Sequence, residues 1–152
     1  MTLLLALPLL TVTDANAHGR RHGCDVDDLL EDYLDLFNDR ATDWTHVLDE
    51  GYTVESPYGT YDLAGWQALT GGAWTAMPDV QWSLVRTVES GDKVALEYSF
   101  TGTFQADFLG IPANGASIVG RGMEMHQLDR AACRIVQTWN YSDAYGFFAQ
   151  LQ

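Results

Sequence analysis

Glu124 and His126 stand two residues apart in the alternating stretch Ser117 to Leu128. On a strand that spacing turns both side chains to one face, where a carboxyl and an imidazole make an acid/base pair, the histidine poised near neutral pH. The plainer alternative is a structural histidine beside an outward-facing acid. Ile118, Met123, Met125 and Trp139 are expected to supply Glu124 with an apolar surround, and desolvation of that kind raises a carboxyl's pKa. Asp143 is the other carboxylate close by, and it serves either as a second acid/base or as the cap of the C-terminal segment. Other chemistries lack their patterns. His46 and His126 sit in separate elements without ligand spacing, so no metal centre is expected. Gly71-Gly72 is an isolated pair rather than a phosphate loop, and no G-x-S-x-G elbow occurs.

The elements that must position these groups follow from hydrophobic period. From Asp25, the residues Leu29, Leu30, Tyr33, Leu34 and Phe37 mark one face of an amphipathic helix with acids in its first turn. A second short helix is expected from Asp43, burying Trp44, Val47 and Leu48. A third follows the cap candidate Asp62, carries Trp66 and Leu69, and is interrupted at Gly71-Gly72 before Pro78. After Pro78 the period becomes two: Val80, Trp82 and Leu84, a turn at Gly91-Asp92, then Val94, Leu96, Tyr98 and Phe100. Two further strands, Ser117 to Leu128 and Arg134 to Tyr141, flank a short loop holding Cys133. Helices first and a meander last is the α+β class, in one domain over residues 25–152.

Composition narrows the partners. The 152 residues carry 21 acidic and 8 basic side chains, a net charge of −13, and Lys93 is the only lysine. Nucleic acid is excluded as a partner by that balance, because phosphate binding needs a basic surface. The run Leu3 to Leu10, followed by Ala15-Asn16-Ala17, resembles a signal peptide cut after Ala17, with a polar arm over residues 18–24. It is too short to span a bilayer, so no membrane anchor is expected. The protein is then secreted or periplasmic, and cytoplasmic if that segment is not a signal. In an exported protein the even pair Cys24 and Cys133 suggests a disulfide; in the cytoplasm the two would be free thiols.

Several motifs occur in a particular order: Met77-Pro78-Asp79, Thr101-Gly102-Thr103, Phe108-Leu109-Gly110-Ile111-Pro112, Arg121-Gly122-Met123 and Trp139-Asn140-Tyr141-Ser142-Asp143. Their series resembles the SnoaL-like polyketide cyclases of the nuclear transport factor 2-like superfamily. The resemblance implies a cone-shaped curved antiparallel sheet, an α+β barrel closed by three N-terminal helices, with an apolar pocket inside and an outer sheet face through which such cones can pair as homodimers. Thr53-Val54-Glu55-Ser56-Pro57-Tyr58-Gly59 is similar to a segment of the related ketosteroid isomerases, whose base aspartate falls on Ser56. Their oxyanion tyrosine falls near Tyr33, and their protonated aspartic acid on Glu124. A phenol and a neutral carboxylic acid in a dry pocket both donate to an enolate oxygen. In the cyclases an aspartate follows the final tryptophan; here that residue is Asn140.

Together these features imply a cyclase or isomerase acting without a cofactor on a small apolar, oxygenated molecule such as a polyketide or terpenoid. Glu124 and His126 would move protons, Tyr33 would polarise a carbonyl, and Asp143 would be a second acid/base. Trp66, Tyr98, Phe108, Trp139 and Asn140 would line the pocket. The competing expectation, drawn from Ser56, Asn140 and export, is a non-catalytic binder of a hydrophobic ligand in the same pocket.

Overall fold

The computed structural model describes residues 23–151. The expected signal segment and most of the expected arm lie outside them. The element order is α1 (Val26–Asn38), β1 (Leu48–Ser56), β2 (Gly59–Asp62), α2 (Leu63–Ala76), β3 (Gln81–Ser90), β4 (Lys93–Thr103), β5 (Ser117–Asp129), β6 (Arg134–Ser142) and α3 (Ala144–Gln150). The six strands form one curved, unclosed sheet in the order β2-β1-β6-β5-β4-β3. This is the expected α+β class with three helices, differently distributed: α1 precedes the strands, α2 lies between β2 and β3, and α3 follows the last strand. The sheet is mixed rather than wholly antiparallel, because the β1–β2 hairpin docks on the free edge of β6 with β1 parallel to it.

Helix α1 begins where the Asp25 carboxylate accepts from the backbone N–H groups of Asp27 and Asp28, satisfying two of the helix's open donors. Its buried stripe holds Leu29, Leu30, Tyr33, Leu36 and Phe37. The short helix expected at Asp43 does not form. Asp43 instead accepts from the Thr45 N–H and hydroxyl, one turn closes on the Trp44 carbonyl, and Ile135 N–H captures the Val47 carbonyl to start β1. Trp44, Val47 and Leu48 are fully buried as expected, since a single turn meets the same i, i+3, i+4 spacing. Helix α2 is capped by Asp62 and runs through Gly71-Gly72 without interruption. Gly72 is where the Phe108 ring packs against the helix, 3.3 Å from the position a Cβ would take.

The concave face is written in alternation. On β5 it carries Ile118, Gly120, Gly122, Glu124, His126 and Leu128; on β4, Val94, Leu96, Tyr98 and Phe100. Phe100 pairs across the strands with Gly120, and Tyr98 with Gly122. Each ring occupies the space that a Cβ on its glycine partner would fill. The pocket wall is therefore built by leaving two side chains out of β5. Helix α3 closes one side: Asp143 caps it, Phe147 packs on Phe100, and the Gln150 side-chain amide bonds both the N–H and the carbonyl of Val119. A disulfide joins Cys24, just before α1, to Cys133 in the β5–β6 turn, 109 residues apart.

Two outcomes follow from this arrangement. Replacing Cys24 and Cys133 by serine releases a closed loop of that length and should lower unfolding free energy by about 5 kcal/mol in the loop-entropy picture, read by denaturant titration. Gly122→Ala should destabilise by about 1 to 3 kcal/mol through overpacking against Tyr98, and should reduce ligand uptake more than Gly71→Ala, a change into open space on α2.

Candidate active site

The pocket lies between α1, α2 and the concave face of the sheet, and is walled by Leu34, Phe37, Trp66, Leu69, Trp82, Phe100, Phe108 and Phe147. Its polar atoms come from Tyr33, Tyr58, Thr70, Tyr98, Glu124, Asn140 and Ser142, and among the described residues no lysine or arginine lines it. An apolar chamber with polarity gathered at one part of its wall suits a neutral ligand held by few, well-placed polar groups.

That polarity is organised by strand register. Glu124 on β5 lies opposite Asn140 on β6, and His126 lies opposite Thr138. All four side chains are buried. The Asn140 Nδ2 donates to Glu124 Oε1 at 2.7 Å and to the Tyr98 hydroxyl at 3.1 Å. Its orientation is fixed, because Asn140 Oδ1 accepts from the Ser142 backbone N–H. His126 Nδ1 meets Thr138 Oγ1 at 2.8 Å, while its Nε2 faces Glu124 Oε2 at 3.6 Å with no hydrogen bond made. The imidazole also packs edge-on against Tyr33, ring centres 4.8 Å apart. The Tyr33 hydroxyl is buried and makes no hydrogen bond among the described residues, although Tyr33 is part of the pocket wall.

Electrostatics separate the roles. Burial pushes the Glu124 carboxyl up to about 7, with the Asn140 hydrogen bond and the nearby Tyr33 hydroxyl pulling the other way. Burial drives His126 down to about 3, so the imidazole is neutral where Glu124 titrates. That corrects the expectation of a histidine poised near neutral pH: its complete desolvation opposes a charge. Tyr33 is raised well above its ordinary value by burial and by the Glu124 carboxyl, and stays a phenol. Two carboxylates sharing one site would contest a proton; here one carboxyl is surrounded by neutral groups.

The structure thus gathers Tyr33, Glu124, Trp66, Tyr98, Phe108 and Asn140 at one pocket and places His126 directly behind Glu124. Trp139 is not in the pocket wall. It is half-buried on the opposite side of β6 from Thr138 and Asn140, since neighbours on a strand face opposite ways. Asp143 is also away from the pocket, exposed and capping α3 through the Gly146 N–H. Ser56 spends its hydroxyl on the β1–β2 turn, donating to the Gly59 carbonyl and accepting from the Tyr58 N–H. Thr138, Ser142, Tyr58 and Phe147 were not singled out from the sequence; the alternation through Asn140 marks Thr138 as its inward companion. Among the described residues no three His, Cys, Asp or Glu side chains converge as a metal-ligand set.

Residues 27–151 match the SnoaL-like polyketide cyclase family. Among curated proteins none matches this chain. Among solved structures, the chain is similar to TsrD from Streptomyces laurentii, with 24% identity covering 83% of this chain and 93% of that one and a TM-score of 0.74. A SnoaL-like polyketide cyclase from Agrobacterium tumefaciens is 22% identical, covers 84% of this chain and 98% of its own, and has a TM-score of 0.67. At that identity the likeness is one of fold.

A raised carboxyl has a stability signature. Between its ordinary 4.5 and about 7, the folded chain holds a proton on Glu124 that the unfolded chain has released, so this contribution is lost as pH rises through that interval. The interval is worth about 3 kcal/mol. Glu124→Gln does not titrate, and its unfolding free energy should gain on that of the native chain by up to this amount between about pH 4.5 and 7.5, measured by denaturant titration. His126 contributes the opposite slope in both proteins, stability being lost as pH falls from 6.5 towards 3, and cancels from the difference.

Proposed function

The chain belongs to the SnoaL-like polyketide cyclase family, and on that premise we propose that it is a cyclase or isomerase that works by proton transfer on a neutral, apolar, oxygenated small molecule of polyketide or terpenoid type. The observation that carries this reading is Glu124, a titrating carboxyl near neutrality in an aromatic pocket without a cation. A base with a pKa near the working pH balances availability against strength.

In this reading the ionised Glu124 removes a proton from the carbon next to a carbonyl. The C–H electron pair becomes the enolate double bond, and the charge moves to the carbonyl oxygen. Tyr33, a buried phenol without a protein partner, donates to that oxygen, and stabilisation of developing charge by a fixed donor is the larger part of such catalysis. The enolate carbon then attacks a second carbonyl within the molecule, closing a ring as that carbonyl's π pair moves to its oxygen, which takes the proton from Glu124; in an isomerisation a conjugated carbon of the enolate takes that proton instead. Asn140 holds Glu124 Oε1 throughout, which fixes the carboxyl plane. His126 stays neutral and acts through Glu124. The Cys24–Cys133 disulfide supports an oxidising compartment, and with it export.

A second reading, a binder without turnover, is favoured by the residues at positions 56 and 140, where related enzymes carry aspartates. Solvent exchange separates the two. With 2-tetralone in deuterated buffer, the native protein should speed deuterium incorporation next to the carbonyl, followed by NMR, and the rate should rise through about pH 7. Glu124→Gln should lose about 100-fold or more of that acceleration while still quenching the fluorescence of Trp66 and Trp82 on binding. Quenching with exchange at the buffer rate in the native protein overturns the enzyme and leaves the binder.

A further inference from the structure

His126 is fully buried, neutral and flanked on its two nitrogens by different partners, Thr138 and Glu124. A neutral imidazole has one N–H and one lone pair, so what Nδ1 does with Thr138 decides what Nε2 presents to the carboxyl. A threonine hydroxyl can rotate to donate or turn to accept. We propose that Thr138 is a positioning residue for Glu124, whose hydroxyl lets His126 exchange tautomers in step with the ionisation of the carboxyl.

Two arrangements suit these contacts, each needing the 3.6 Å between Nε2 and Oε2 to close to hydrogen-bond distance while the Thr138 contact is already made. With Glu124 ionised, Thr138 donates to Nδ1 and Nε2–H points at Oε2, a donor aimed at the anion. With Glu124 protonated, Nδ1–H donates to Thr138 Oγ1, and the Nε2 lone pair faces the acid proton. Tyr52 completes the set from β1: its hydroxyl is buried without a partner and stands beside Thr138 and Tyr33, able to donate to Thr138 in the first arrangement and accept from it in the second. Among the described residues Glu124 meets no other charge. The titratable groups around it are Tyr33 from α1, Tyr52 from β1, Tyr98 from β4 and His126 from β5, the three phenols held protonated and the imidazole neutral by burial; β6 adds only Asn140 and Thr138. A hydrogen-bond chain that reverses with the carboxyl serves both halves of a reaction in which Glu124 first takes a proton and then returns it. This inference rests on the proton-transfer reading of Glu124, but its test needs no substrate, so the two can fail separately.

Nitrogen-15 NMR of the full chain labelled at histidine reads the tautomer directly. In the native protein the pyrrole-type and pyridine-type shifts of His126 should exchange between Nδ1 and Nε2 as pH passes through about 7. Thr138→Val, equal in shape but without the hydroxyl, should stay in the Nε2–H form at both extremes. Its Glu124 titration, followed by the carboxyl infrared band, should fall by about half a unit or more, because the acid form has lost its acceptor. Thr138→Ser should restore both behaviours. A single unchanging tautomer in the native protein overturns the proposal without any variant, as does a Thr138→Val protein that switches as the native one does.

Discussion

A carboxyl placed among aromatic rings has to be held by neutral donors or it unfolds its surroundings to reach water. That constraint organises this molecule. Asn140 supplies one donor and is itself locked by the Ser142 N–H; His126 fills the other side and is itself held by Thr138. Both partners depend on the register of β5 against β6. A slip of one residue would turn Glu124 and His126 outward and bring Met123 and Met125 inward. The long β5 strand, paired along its length with β4 and at one end with β6, makes that slip costly.

The pocket exists because the same strand omits side chains where its neighbour has large ones. Gly120 and Gly122 give way to Phe100 and Tyr98, and the resulting wall brings the Tyr98 hydroxyl to Asn140. From the other side, α1 delivers Tyr33. The disulfide fastens the start of α1 to the turn between β5 and β6, so the segments carrying the phenol and the carboxyl are covalently linked at one end. Chamber, acid and donor therefore share one support.

Much of this was legible in the sequence, for identifiable reasons. Period-two alternation places Glu124 and His126 on one face, and the spacing of apolar residues after Asp25 places Tyr33 on the buried side of α1. The same alternation forbids Trp139 and Asn140 from both facing the pocket, and Asn140 is the one that does. The segment after Asp43 misled because one turn and a short helix bury the same residues; only the capture of Val47 by Ile135, far along the chain, distinguishes them. Strand β1 is half polar and lies against a strand some 80 residues later, and α3 is seven residues long, so neither left a strong local pattern. The neutrality of His126 depends on complete burial, which spacing alone does not encode.

Beyond the reach of β6, the backbone of β5 at Val119 has an open edge, and there the Gln150 amide offers a donor and an acceptor just as an adjoining strand would. Unpaired sheet edges invite pairing with other chains. The C-terminal helix thus covers a strand edge as well as walling the pocket. Trimming its last turn would uncover that edge together with the core space that Leu151 fills.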